Sequence, residues 1–202
     1  IPDTVTSLGA NVFSSNASLK RVKLSAAMTA IPDRGFTDCS ALEEITFPAS
    51  ITNWGAGTST SAFIGCSSLK NVYVDSRSFS YKSVDGVLYD YSGKTLVYYP
   101  QGRTAEKFVI PEGTIRVGAH AFRGNTSLKK VVYPSTLVRI GNHAFFGCTN
   151  LKDYYFNGMT APLLETTAAT SGPLANLALY CNFVGIWVDY KVGVGYVYHD
   201  YG

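Results

Sequence analysis

Five times along this chain an aromatic anchor is followed, at fixed spacing, by the same kinds of residue. The anchors are Phe13, Phe36, Phe63, Phe122 and Phe145. Three residues after each come Asn16, Cys39, Cys66, Asn125 and Cys148, and six after each come Leu19, Leu42, Leu69, Leu128 and Leu151. Nine and eleven residues on stand apolar pairs: Val22 and Leu24, Ile45 and Phe47, Val72 and Val74, Val131 and Tyr133, Tyr154 and Phe156. The period is 23 residues, stretched once to 27 and interrupted once by an insertion. A repeat of this length marks a solenoid, in which each unit buries its apolar face against its neighbours.

The spacing predicts one local geometry for every unit. The run from the Leu through the two later apolar positions alternates in and out at its end, as a strand does. Leu19, Val22 and Leu24 face the core, while Lys20, Arg21 and Lys23 face out or lie at the margin. Stacked strands of this kind make a parallel sheet on one side of the coil, and the Ala-Phe segment, with nearby Gly9, Gly118 or Gly141, packs opposite as a turn or short helix. The units are residues 1–24, 25–47, 48–74, 110–133 and 134–156 of a single domain spanning 1–202. In the third unit Gly55, Gly57, Thr58, Ser59 and Thr60 form a loop bulging from the coil.

Residues 75–109 are surplus to the period. Val84, Val87, Leu88 and Tyr89, then Leu96, Val97, Tyr98 and Tyr99, are strand-like runs around a Ser92-Gly93 turn, with a further turn at Asp85-Gly86. They read as one β-hairpin insertion. After Phe156 the period is lost. Residues 157–176 are rich in Thr, Ala, Pro and Gly, and 177–202 turn apolar and aromatic, from Leu179 through Trp187 to Tyr198. A solenoid needs its open end covered, so 157–202 is the expected cap.

Composition excludes several function classes. Charged residues are only 15% of the chain and the formal net charge is +3, too little for a nucleic-acid footprint. No apolar run approaches the ~20 residues of a membrane span. The chain opens at Ile1-Pro2 inside the repeat pattern, as a mature or trimmed chain would, and carries no signal peptide. Tyr occurs 14 times, in keeping with a β-rich body.

Three of the four cysteines share one repeat position with Asn, a pattern of small hydrogen-bonding residues at a tight bend rather than of a disulfide framework. A Cys39–Cys66 bridge between neighbouring coils is the alternative, and Cys181 has no obvious partner. Asn16 and Asn125 also match the glycosylation sequon, but the ladder position points them inward. No catalytic motif is present: there is no nucleophile elbow, no His-Glu-x-x-His and no phosphate loop. Glu43-Glu44 reads as a solvated pair, and Asp85 and Asp90 as turn residues. His120 and His143 share one register 23 residues apart, which puts them about 5 Å apart on neighbouring coils. Two imidazoles without a third ligand make a poor metal site, so structural histidines are expected, with no metal and no cofactor.

Several stretches resemble the BspA-like leucine-rich repeat family, the Treponema pallidum type. Its pattern is visible in Leu42 through Pro48, in Val138-Arg139-Ile140-Gly141 and in Ala144-Phe145-Phe146-Gly147-Cys148. The insertion Val84-Asp85-Gly86-Val87-Leu88-Tyr89 is similar to one the family carries. Pro32 and Ser59 stand where Gly is usual before the anchor, and Gly35 replaces Ala. The resemblance covers residues 1–156 and implies an α/β solenoid: a right-handed leucine-rich-repeat superhelix with a parallel concave sheet, short helices or turns on the convex side and the one hairpin insertion. It also implies a bacterial protein, secreted or at the cell surface, with adhesive partners.

The outward strand positions carry the best functional signal. One row is Lys20, Glu43, Lys70, Lys129 and Lys152; the next is Arg21, Glu44, Asn71, Lys130 and Asp153; the third is Lys23, Thr46, Tyr73, Val132 and Tyr155. Tyr and cationic side chains are residue types that interfaces favour. Strands also like aromatic and β-branched residues, and lysine blunts exposed sheets, which is the plain-surface alternative. The expected binding residues on the concave face are Arg21, Lys23, Asn71, Tyr73, Lys130, Val132 and Tyr155. The expected function is non-catalytic binding of a host or bacterial surface protein or glycan, with no nucleic acid and no membrane insertion. The alternative is a spacer or self-assembly domain making contacts through the hairpin insertion or the aromatic tail.

Overall fold

A computed structural model describes residues 1–54, 62–157, 162–164, 186–191 and 195–200. The expected bulge over Gly55–Thr60, Cys181 and most of the segment 157–185 lie outside the described residues. Contacts divide the chain into two compact units, residues 1–92 with 98–103, and residues 93–97 with 104–202.

In the first unit, β1 (Arg21–Lys23), β2 (Glu44–Phe47) and β3 (Asn71–Val74) lie parallel and in register, with Val22, Ile45 and Val72 side by side. The alternation works as the repeat predicts: Ile45 and Phe47 are buried while Glu44 and Thr46 look outward. Leu42 and Leu69, three places before Ile45 and Val72, are wholly buried, which is the in-register stacking a solenoid requires.

The anchor phenylalanines stack coil on coil. Ring centroids are 5.3 Å apart for Phe13 and Phe36, and 5.4 Å for Phe36 and Phe63. Their backbone pairs too: the Phe13 amide donates to Gly35 O and the Phe36 amide to Ala62 O. Among the described residues this side is turn rather than α-helix. The reason is a left-handed residue two places before the anchor (Asn11, Arg34) and another two places after it (Ser15, Asp38, and Gly65 at φ +77°). An α-helix cannot run through such positions.

The insertion begins with an antiparallel hairpin of β4 (Tyr81–Val84) and β5 (Val87–Asp90). Its turn is Asp85-Gly86, with φ +48° and +74°, the doubly left-handed turn that suits strand twist. The turn at Ser92-Gly93 follows and leads into β6 (Thr95–Tyr98). The tip of the first hairpin covers β3. The Val72 amide donates to Gly86 O, and Ser83 Oγ donates to Val72 O at 2.6 Å. Arg103 locks the tip through Asp85 O and, at 2.7 Å, Asp85 Oδ2.

In the second unit, β7 (Lys107–Val109), β9 (Lys130–Tyr133) and β11 (Asp153–Phe156) repeat the parallel ladder. β7 lies within the stretch expected to be pure insertion. A second parallel ladder carries Leu96 of β6, Val117 of β8 (Arg116–Val117), Ile140 of β10 (Arg139–Ile140) and Leu164 of β12 (Leu163–Leu164). In the tail, β13 (Ile186–Lys191) pairs antiparallel with β14 (Gly195–Asp200), and β14 pairs antiparallel with β11. The left-handed positions recur at His120 and His143 before the anchors and at Gly124 and Gly147 after them. Phe122 and Phe145 stack at 4.7 Å.

The Cys/Asn ladder divides by chemistry. Cys39, Cys66 and Cys148 are free thiols, which removes the Cys39–Cys66 bridge, and each buries its S–H against the preceding coil, on Phe13 O, Phe36 O and Phe122 O respectively. Burial pushes the Cys66 and Cys148 thiols up to about 12, so neither is a ready nucleophile. Asn16 and Asn125 instead cap their own coil: Asn125 Oδ1 accepts the amides of Ser127 and Leu128 at 3.0 and 2.9 Å. Asn125 is fully buried, as expected, whereas Asn16 is exposed in the first coil.

Candidate functional site

The expected binding residues divide between two sheets, so the five-coil rows are not one continuous sheet. In the first unit the register aligns Arg21, Glu44 and Asn71 in one row and Lys23, Thr46 and Tyr73 in the next. Arg21 Nε lies 3.4 Å from Glu44 Oε2, an exposed pair of little energetic weight. Asn71 is half-buried beneath the Asp85-Gly86 turn. Tyr73 is 42% exposed, a large amount for an aromatic ring on a packed sheet.

In the second unit, Lys107, Lys130 and Asp153 form one row and Val109, Val132 and Tyr155 the next. Lys130 Nζ sits 3.8 Å from the centre of the Tyr155 ring, a cation–π contact that fixes both. Val109 is 53% exposed at the end of that row. Beyond β11 the register continues onto β14, with Val197 opposite Tyr155 and His199 opposite Asp153. The structure thus brings Lys130, Val132 and Tyr155 together on one sheet and Arg21, Lys23, Asn71 and Tyr73 on another.

Lys107 and Val109 were missed because their coil lacks the aromatic anchor and leucine that define the others. The signal was there: Ala105, Phe108, Ile110 and Pro111 keep the spacing of Leu128, Val131, Tyr133 and Pro134, with Ala in place of Leu.

The histidines meet as their spacing predicts. The His120 and His143 rings stack 5.0 Å apart and 7° from parallel. Arg123 Nη1 lies 3.3 Å from His120 Nδ1, and its guanidinium sits 4.9 Å over the Phe146 ring. Burial depresses both imidazoles, His120 to about 4, and the Arg123 cation lowers them further. Parallel stacked rings point their nitrogen lone pairs along parallel planes rather than at a common point, and a guanidinium beside them repels a cation. The pair is therefore a packing element. Among the described residues no group of three or more His, Cys, Asp or Glu is placed to hold a metal ion.

The chain belongs to the BspA type leucine-rich repeat region family, whose repeat it matches in six copies over residues 1–85 and 98–179. It is similar to a solved leucine-rich repeat protein from Eubacterium ventriosum (24% identity, TM-score 0.60), covering 79% of this chain and 48% of that one. The pneumococcal vaccine antigen PcpA matches at 23% identity and TM-score 0.58, over 78% of this chain and 50% of that one. A leucine-rich cell surface protein from Faecalibacterium prausnitzii matches at 28% identity and TM-score 0.56, over 75% of this chain and 45% of that one. The chain therefore spans about half the length of the structures it matches. No curated protein matches it. The architecture is that of a leucine-rich-repeat β-solenoid built on parallel sheets.

Proposed function

We propose that this chain is a non-catalytic binding module of a bacterial surface or secreted protein. It takes a surface protein or glycan of the host or of another bacterium on the outward faces of its parallel strands, in an adhesion-type contact. The right-handed winding that the family implies is part of the same reading. The observation that carries it is the content of the third outward row in each unit: Lys23, Thr46 and Tyr73 on one sheet, Val109, Val132 and Tyr155 on the other. A merely solubilising face would carry charge there, whereas exposed aromatic and apolar side chains beside cations suit a partner surface. The likeness to a cell surface protein supports the location. A rigid strand array also meets its partner with little loss of conformational freedom. Replacing Tyr73 and Tyr155 together with Ala, in a protein whose melting temperature is unchanged, should weaken adhesion to host-cell or matrix preparations by about tenfold or more. Unchanged adhesion would remove the strand faces from the function.

A second reading, self-association through the insertion, is favoured by one observation. Phe79 is 82% exposed and its ring lies 5.8 Å from that of Tyr91, which is also exposed. Light scattering of the intact chain against a Phe79→Ser, Tyr91→Ser variant decides it: a monomer in both cases rules it out.

A further inference from the structure

A trough of roughly 550 Å³ opens where β1, β2 and β3 end, within the first unit. Its walls come from successive coils: Lys23 and Leu24, then Thr46 through Ser50, then Val74, Asp75 and Arg77, with Asp3 at the first coil. The volume is in the range of small-ligand and short-peptide sites. Its floor is apolar, with half-buried Ala49 and Val74 lying over buried Phe47 and Pro48. Its charged groups are arranged unequally.

Asp75 is committed to Arg77. Its Oδ1 accepts the Arg77 backbone amide and Nε, each at 3.0 Å, and its Oδ2 accepts Nη2 at 2.7 Å. This fork holds the Asp75 carboxyl well below the usual carboxylate range, with the Lys23 cation contributing. A guanidinium has five N–H donors. The fork uses Nε–H and one on Nη2, and the opposite edge, with both N–H of Nη1 and one of Nη2, has no partner among the described residues. The Arg77 side chain is 82% exposed, so Asp75 anchors it in one orientation while its free edge stays open. Lys23, on the same trough, makes no side-chain hydrogen bond or ion pair with the described residues. Asp3 Oδ1 is spent on the Ala26 amide, 2.9 Å away.

We propose that this trough binds a peptide carboxylate borne by an apolar residue, such as the C-terminus of a partner chain, with the oxygens on the free edge of Arg77 and on Lys23 and the side chain on the floor around Ala49 and Val74. The paired N–H edge of an arginine matches a carboxylate geometrically, and a tethered arginine loses little freedom on binding. The apolar floor selects a peptide over an acidic sugar, whose hydroxyls would be stripped of water against it. The site shares Lys23 and Thr46 with the strand-face reading and does not depend on it, because neither Tyr73 nor Tyr155 lines the trough.

The test is calorimetric titration with acetyl-Phe-Leu carrying a free carboxylate, with its C-terminal amide, and with glucuronate. The free peptide should bind saturably, with the amide and glucuronate each weaker by about tenfold or more. Arg77→Ala should lose binding to a similar degree, and exposed Lys152→Ala should not. Asp75→Asn is the sharpest variant. It adds net positive charge to the trough, so attraction by charge alone would strengthen binding, whereas loss of the tether should weaken it several-fold. Melting curves verify that each variant is folded. The proposal is overturned by no saturable binding of the free peptide up to about 10 mM, by equal binding of the amide, by preference for glucuronate, or by tighter binding to Asp75→Asn.

Discussion

At the scale of single residues, the ladder shows how two side chains fill one repeat position with different bonds. Cys148 donates one weak S–H bond to the preceding coil, whereas buried Asn125 satisfies two amides of its own. Asn125→Ala would strand both N–H groups and should cost roughly 2–4 kcal/mol, while Cys148→Ala should cost about 1 kcal/mol. Urea unfolding of the two variants checks that ordering. The histidine pair makes a pH prediction. The folded protein holds His120 at about 4 against an ordinary 6.5, so the unfolded chain takes up a proton the folded one refuses. Stability is thus intact above about pH 6.5 and is lost as pH falls toward 4. His120→Asn, which keeps a residue tolerant of φ +55°, should flatten that decline in urea midpoints measured from about pH 7 to 4. The shared register of the histidines was legible in the sequence. The neighbour that tunes them, Arg123, was not, because nothing in the repeat pattern says which way its side chain folds.

At the scale of elements, the hairpin tip acts as a clasp on β3. Arg103, only 17% exposed, bonds Asp85 and reaches Lys70 O, joining the insertion to the start of that strand. Arg103→Ala should destabilise the first unit by roughly 2–3 kcal/mol and speed amide exchange at Val72, whose N–H is paired with the hairpin. Coil-to-coil packing sets a second limit. A Cβ on Gly141 would fall inside contact distance of the Ala119 backbone nitrogen, so the coils sit too close for any side chain there. Gly141→Ala should lower the melting temperature by about 10 °C or more, as a steric clash with backbone cannot relax cheaply. The strand of each leucine run was readable because its alternation is regular. The short β8 and β10 strands were not, since two residues are too few to show a period, and β7 was hidden by the loss of its anchor.

At the scale of the whole molecule, a solenoid has an energetic signature as well as a geometric one. Each coil contacts its neighbours, so damage spreads along the stack and fades. Leu42 is fully buried, and Leu42→Ala should cost roughly 2–5 kcal/mol. Hydrogen exchange should show lost protection through β1, β2 and β3, while β9 and β11, several coils on in sequence, keep theirs. Uniform loss across all strands would contradict the repeat energetics.

The inward residues of each coil and its outward strand positions were legible in the repeat alone, because a 23-residue period gives every unit the same alternation. Where the outward rows are cut follows from long-range packing, since Gly86 and Ser83 take the backbone groups of Val72 that a further parallel strand would need. The trough was likewise set in space, where the ends of three strands meet, whereas the Asp75–Arg77 fork is a local contact between residues two apart in the chain.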